Sequence, residues 1–193
     1  MSDAKNKSFK QPNNLTISAE TIQTIRLHLR QPIAKDFVAL RHLWLDVKVR
    51  QFLGGIISKE EVEGKIDSIQ DHWKQHGFGQ FAVYENNDNQ IIGICGLHYS
   101  EDDVEISYMF FPVFWDRGFA TEAVMASLNY GFNILKLKKI IAITQDANRR
   151  SWQLLEKIGM HFSDTVWRFD AFQRVYKLTQ SEWLVKYRLE TYP

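Results

Sequence analysis

Apolar and polar residues alternate from Ile25 to Arg30, with Ile25, Leu27 and Leu29 against Arg26, His28 and Arg30. A period of two predicts a half-buried strand, which Gln31-Pro32 ends. Asp36 then stands where a helix cap belongs, ahead of an apolar face of Phe37, Leu40, Trp44 and Val47. Gly54-Gly55 stops that segment. Ser58 followed three residues later by Glu61 has the form of a capping box, and the helix it opens buries Val62, Ile66, Ile69 and Trp73. Gly77 and Gly79 end it. Two strands, Phe81–Tyr84 and Ile91–Leu97, flank the turn-forming run from Glu85 to Asn89 and predict a hairpin. A further strand covers Val104–Phe110 and closes at Pro112. The next helix runs from Gly118 to about Leu135, with an inner face of Ala120, Val124, Leu128, Phe132 and Leu135. Ile140–Thr144 is nearly all apolar, as in a strand covered on both faces. Asn148 caps a helix that buries Ser151, Leu154, Leu155 and Ile158, and Gly159 takes its left-handed end position. Two strands share His161–Leu178, and Ser181-Glu182-Trp183 opens a terminal helix.

The predicted order is β-α-α-β-β-β-α-β-α-β-β. Strands that first meander and then alternate with helices argue an α/β (α+β) fold, a mixed sheet with helices on both faces. Residues 1–20 are polar and Asn/Lys-rich and read as a flexible extension. Residues 21–193 carry no linker or internal repeat and read as one domain.

The chain is 45% apolar and 24% charged, enough for a core. Lys and Arg number 24 against 23 Asp and Glu, so no global field draws the chain to nucleic acid or an anionic membrane. One Cys excludes an internal disulfide. No run reaches the ~20 apolar residues of a membrane span, and the first residues lack a signal-peptide core. A cytoplasmic location is expected.

The informative stretch is Glu105–Ala123, EISYMFFPVFWDRGFATEA. A strand, a short loop with Gly118 and a helix follow at once. The first helical turn has backbone N–H groups without intrahelical partners and partial positive charge. Gly118 permits close approach of a ligand, and Arg117 adds a cation. The joint describes an anion site suited to phosphate or pyrophosphate, and equally an ordinary tight turn. Neither a P-loop nor a G-x-G-x-x-G is present.

Trp115-Asp116-Arg117-Gly118-Phe119-Ala120-Thr121-Glu122-Ala123 resembles the acyl-CoA-binding signature of the GNAT acetyltransferases, in particular the W-G-x-G-Y-A-T-E-A form of the RimJ/RimL-like branch. Four more segments agree in order: Arg26–Arg30, Val49–Gly54, Ile91–Leu97, and Asn148–Ser151 with Leu155–Met160. The resemblance covers about residues 25 to 184. It implies a GNAT fold, mostly antiparallel, with a splayed acyl-CoA cleft between its fourth and fifth core strands. It implies direct transfer of acetyl from acetyl-CoA, without metal, to a primary amine. In this branch that amine is a protein N-terminal α-amine, while close relatives take polyamines or aminoglycosides. A non-catalytic acyl-CoA-binding or interaction protein is the other class that the fold allows. Carried residue by residue, the resemblance places pantetheine at Met109, Phe110 and Phe111. It places pyrophosphate at the amides of Arg117, Gly118, Phe119, Ala120 and Thr121, counts Asp116 among the cofactor-binding positions, and sets Asn148 and Ser151 beside the cofactor and thiol. Asp116 departs from the family's Gly, and its carboxylate repels a pyrophosphate if it points inward. Nothing marks an interface, so monomer and homodimer both stay open.

An amine must lose a proton before it attacks a thioester. An α-amine, with pKa near 7.8, needs less help than Lys, near 10.4. Glu105 matches the acidic position of the branch and is the candidate base, the alternative being an exposed strand Glu. Ser151 matches the Ser proposed to meet the leaving thiolate, the alternative being helix-end bonding. A backbone N–H near Met109 or Phe110 would hold the oxyanion. His72 and His76 lack the Glu of a zinc motif, and Cys95 reads as inert core. Lys136, Lys138 and Lys139 read as a solvated helix end. Trp44, Trp73 and Tyr108 read as core before groove.

Overall fold

The computed structural model describes residues 15–17, 21–86 and 90–188. Most of the proposed 1–20 extension, and Asn87, Asp88 and Asn89 of the predicted turn, lie outside the described residues. Among the described residues, nine strands form one sheet in the order β1-β2-β3-β4-β5-β6-β7-β9-β8. They are β1 (Thr16–Ile17), β2 (Thr21–Gln23), β3 (Leu27–Arg30), β4 (Gln80–Glu85), β5 (Ile91–Ser100), β6 (Asp103–Phe110), β7 (Lys139–Gln145), β8 (His161–Arg168) and β9 (Ala171–Thr179). Every neighbouring pair is antiparallel except β6 and β7. The helices are α1 (Asp36–Leu45), α2 (Val47–Arg50), α3 (Lys59–His76), α4 (Phe119–Asn129), α5 (Arg149–Ile158) and α6 (Gln180–Arg188). The mixed α/β sheet predicted from the pattern is observed, and so is the mostly antiparallel arrangement that the family resemblance implies.

The core lies along β5, which is buried continuously from Ile92 to Leu97 because helices cover both of its faces. Cys95 and Leu97 point toward α4: the Cys95 thiol lies 3.6 Å from the Ser127 hydroxyl, and Leu97 packs beneath Gly131. A Cβ on Gly131 would fall within 2.7 Å of Ile140 and 2.8 Å of Leu97, which is why the chain there has none. α1 and α3 pack on each other, and α1 contacts β5 as well.

Several predicted elements changed their limits. The strand foreseen from Ile25 begins at Leu27. Thr24 and Leu27 close a tight turn, with Thr24 N–H to Leu27 O at 2.8 Å, and this swings Ile25 into solvent at 62% exposure. Thr16–Ile17 and Thr21–Gln23 add two short strands ahead of it. Asp36 does not cap α1. It is the first helical residue, and its carboxylate takes the Arg30 guanidinium through two bonds at 2.7 and 2.8 Å, the Ile33 N–H, and the Tyr84 hydroxyl. The helix foreseen through Val47 breaks at Asp46, whose side chain accepts from Lys48 N–H and Val49 N–H to start α2, and Val47 is exposed. The Ser58 capping box forms in both directions, and α3 ends on left-handed Gly77. The helix from Gly118 is α-helical only to Asn129. A π turn covers Tyr130–Ile134, closed by Leu135 N–H to Tyr130 O at 3.1 Å. Of the four residues expected to be buried on α5, Leu155 and Ile158 are buried, while Ser151 and Leu154 are half-buried and face a cleft.

Candidate active site

β6 and β7 share one paired position, Glu105 with Ile141. Beyond it the two parallel strands separate, and a cleft of about 880 Å³ occupies the gap. Every residue from Glu105 to Phe110 lines it. Successive strand residues point to opposite faces, so the cleft opens on both sides of the sheet. On one side it meets Lys48, Gln51, Phe52 and Leu53 of α2 and the turn after it. On the other it meets the first turns of α4 and α5.

The first turn of α4 meets the cleft. Gly118 precedes the helix at φ 80, a left-handed conformation that glycine adopts without a Cβ clash. Among the described residues no side chain caps this helix, and Gly118, Phe119, Ala120 and Thr121 all line the cleft. Their amide end therefore faces the cavity and not an internal carboxylate. In α5, by contrast, Asn148 occupies its own helix end, accepting from Ser151 N–H. Lys48, Arg149, Arg150 and Lys157 line the cleft against the carboxylates of Glu105 and Asp116.

Glu122, in the first turn of α4, faces away from the cleft. It accepts from Thr24 Oγ1, from Arg26 N–H and from Arg26 Nε at 2.6 Å, while Arg26 Nη1 donates to the Arg117 carbonyl at 2.9 Å. This network fixes the loop to the β2–β3 turn. Arg117 is not aimed at the cavity. Its guanidinium pairs with Glu85 at 3.2 Å and lies over the Phe119 ring, 4.6 Å from its centroid. Asp116 stands where the resembled signature has glycine. It keeps a left-handed φ of 59, and its carboxylate turns onto Arg150 of α5 at 3.2 Å across the mouth of the cleft.

Ten of the twelve predicted site residues line one cavity: Glu105, Met109, Phe110, Asp116, Gly118, Phe119, Ala120, Thr121, Asn148 and Ser151. Phe111 and Arg117 do not. Phe111 gives its N–H to Ile92 O of β5, on the side away from β7.

Glu105 lies opposite His98 on β5. Burial pushes its carboxyl above the ordinary carboxylate range; a Ser100 hydrogen bond and the Arg168 charge pull against this, and Glu101 adds to it. His98 is driven by burial down to about 4, with His72 nearby adding to the effect, and is neutral near pH 7. Ser151 Oγ lies 2.9 Å from the Tyr108 hydroxyl. Tyr108, read from the sequence as core before groove, lines the cleft; Trp44 and Trp73 are buried core. Trp115, whose indole N–H donates to Phe110 O at 2.7 Å, and Arg150 were missed. The W of the nine-residue signature was a signal for the first; the second had none. Cys95 is fully buried, its thiol pushed up to about 12 by burial. Lys139 pairs with Asp103 at 2.7 Å. Both ring nitrogens of His72 serve backbone groups, Phe78 O and Tyr99 N–H. Among the described residues no helix is long and apolar enough to cross a membrane.

The chain is similar to known proteins. A family model described as an Acetyltransferase (GNAT) domain matches residues 26–161. The Bacillus subtilis protein YkkB is 30% identical over 159 residues, 80% of this chain and 92% of its own. YnaD of the same organism, an uncharacterized N-acetyltransferase, is 30% identical over 142 residues, 72% of this chain and 81% of its own. A GNAT-family acetyltransferase from Bacillus anthracis superposes with a TM-score of 0.72 at 27% identity, over 84% of this chain and 99% of the other. The family match spans both lips of the cleft, from the Arg26 tether through α4 and α5, and the chain therefore belongs to the GNAT acetyltransferases and is an N-acetyltransferase.

Proposed function

We propose that the cleft binds acetyl-CoA on its α4–α5 side and a peptide N-terminal α-amine on its α2 side, in the manner of the RimJ/RimL-like branch. The observation that carries this is a helix end without a side-chain cap opening into a cavity that passes through the sheet. The amides of Gly118–Thr121 would hold the pyrophosphate, and Arg149, Arg150 and Lys157 would supply countercharge. Backbone of β6 at Met109 and Phe110 would hold pantetheine; the Phe110 carbonyl is already taken by Trp115. Acetyl-CoA supplies the activated acyl group. The half-buried Glu105, with its raised pKa, suits an amine that titrates near neutrality. It takes the amine proton through water, and Ser151 faces the leaving sulfur. The acyl group passes directly between the two substrates, with no covalent acetyl-enzyme.

Calorimetric titration with acetyl-CoA, followed by turnover on N-terminal peptides, spermidine and an aminoglycoside, tests this. Micromolar binding with highest kcat/KM on peptides is expected. Preference for spermidine or the aminoglycoside would replace the acceptor, and binding with no transfer to any amine would leave an acyl-CoA-binding protein. Asp116 makes its own prediction. Its bridge to Arg150 is solvent-exposed and worth about 1 kcal/mol at most. Asp116→Gly keeps the left-handed turn and releases Arg150 toward the phosphates. Acetyl-CoA affinity should rise roughly fivefold at low ionic strength and return toward wild type in high salt. Weaker binding would mean that the bridge helps to form the site.

A further inference from the structure

Tyr108 stands on the α4-facing side of β6, paired in register with Cys95. Its hydroxyl lies 2.9 Å from Ser151 Oγ and 3.4 Å from Ser151 O. Two arrangements fit the shorter contact. If Ser151 donated, the phenol proton would be left with the 3.4 Å carbonyl, a poor acceptor at that distance for O–H. If Tyr108 donates, its proton is well used, and the Ser151 proton is free to point into the cleft. Ser151 N–H is already held by Asn148 Oδ1 at 3.3 Å, which fixes the backbone from which the hydroxyl swings. Burial raises the phenol well above its ordinary pKa; its bond with Ser151 opposes this, and the Cys95 thiol beside it is itself pushed up to about 12. The phenol therefore keeps its proton throughout the neutral range.

We propose that Tyr108 is a positioning residue: it donates to Ser151 Oγ and so turns the Ser151 hydroxyl toward the sulfur that leaves the acetyl group. This rests on the acetyl-CoA reading and goes beyond it. The amine nitrogen bonds to the acetyl carbon, and as the C–S bond breaks its electron pair goes to sulfur, which accepts the Ser151 hydrogen bond. The amine proton leaves through Glu105 to water, and water later protonates the released thiolate. Tyr108 gains and loses no proton. Its bond polarises the Ser151 hydroxyl and strengthens the hydrogen bond that Ser151 gives.

The test is the ionisation of CoA bound to the protein, followed by thiolate absorbance, with desulfo-CoA as the blank. In the wild type the bound thiol should ionise more readily than in Ser151→Ala by about tenfold in the thiolate-to-thiol ratio, and than in Tyr108→Phe by roughly threefold. Tyr108→Phe should lower kcat by about the same threefold with KM for acetyl-CoA unchanged. Added to Ser151→Ala, it should change nothing further. Unchanged desulfo-CoA affinity reports an intact cleft in each variant. Equal thiol ionisation in wild type and Tyr108→Phe, or an additive loss in the double variant, overturns the inference alone. Failure of the wild type to bind CoA overturns the acetyl-CoA reading and the inference with it.

Discussion

Asp36→Ala should lower the unfolding free energy by about 3–5 kcal/mol, read as a shift of the urea midpoint at unchanged slope. The Asp36 side chain is 2% exposed and that of Arg30 is 20% exposed, so this is a buried pair and not a surface one. The substitution removes one acceptor from four donors at once: the Ile33 N–H, the Tyr84 hydroxyl and two Arg30 nitrogens, which keep only the neutral Gln31 O and Tyr84 hydroxyl. A charged guanidinium left without its partner in the interior dominates the loss. Replacing Arg30 by Met together with Asp36→Ala should recover much of it, because no charge is then left unpaired. The cluster also sets an acid limit. Burial alone would raise the Asp36 carboxyl, but the hydrogen bonds from Arg30, Ile33 N–H and Tyr84, with the Arg30 charge, hold it below its ordinary value. Its contribution is therefore complete above about pH 4, the unfolded value, and is lost as pH falls through the lower folded value. A loss below 1 kcal/mol at pH 7 would show that the pair is not a structural anchor.

Glu105→Gln should reduce kcat/KM about 10²- to 10⁴-fold, the range for a general base, while acetyl-CoA binding holds. The wild-type pH–rate profile should rise with pH through the raised Glu105 pKa, since the base works deprotonated. That limb should lie above the ordinary carboxylate range and vanish in the variant. Stability should move the other way. A carboxyl raised in the folded state stabilises the fold fully below its unfolded pKa and loses that contribution as pH rises through the folded value. Above that folded value the wild type holds a charge where the fold prefers none, and the Gln variant should be at least as stable. Lost activity at undiminished stability separates a base from a structural residue. An unchanged rate and pH limb would remove Glu105 from the chemistry.

The elements were legible where one local signal decided them. Ser58 with Glu61, Gly77 and Gly159 mark helix ends that formed as read. Alternation misplaced the start of β3, because Thr24 and Leu27 close a turn that side-chain polarity does not encode. Helical spacing carried α1 across Asp46, since the competing bonds are made by the Asp46 side chain itself. The site's backbone was readable because Gly118 and the following turn lie together in the chain. The directions of its side chains were not. Arg117 is drawn to Glu85, and Asp116 to Arg150, by partners far off in sequence. Tyr108 was read as core because strand spacing alone does not reveal that its neighbouring strand turns away.

That single bridge has a mechanical consequence. β6 is tied along its whole length to β5, and β7 likewise to β9, so the ladder between these two halves of the sheet crosses only at Glu105 and Ile141, with the Lys139–Asp103 pair beside that joint. A small rotation of one half against the other displaces each atom in proportion to its distance from that joint. The far lip, where Trp115 and Arg150 stand, travels most, and Glu105 travels least. Such a rotation would part the exposed Asp116–Arg150 pair and widen the mouth, while the carboxylate at the base stays registered on its strand neighbours.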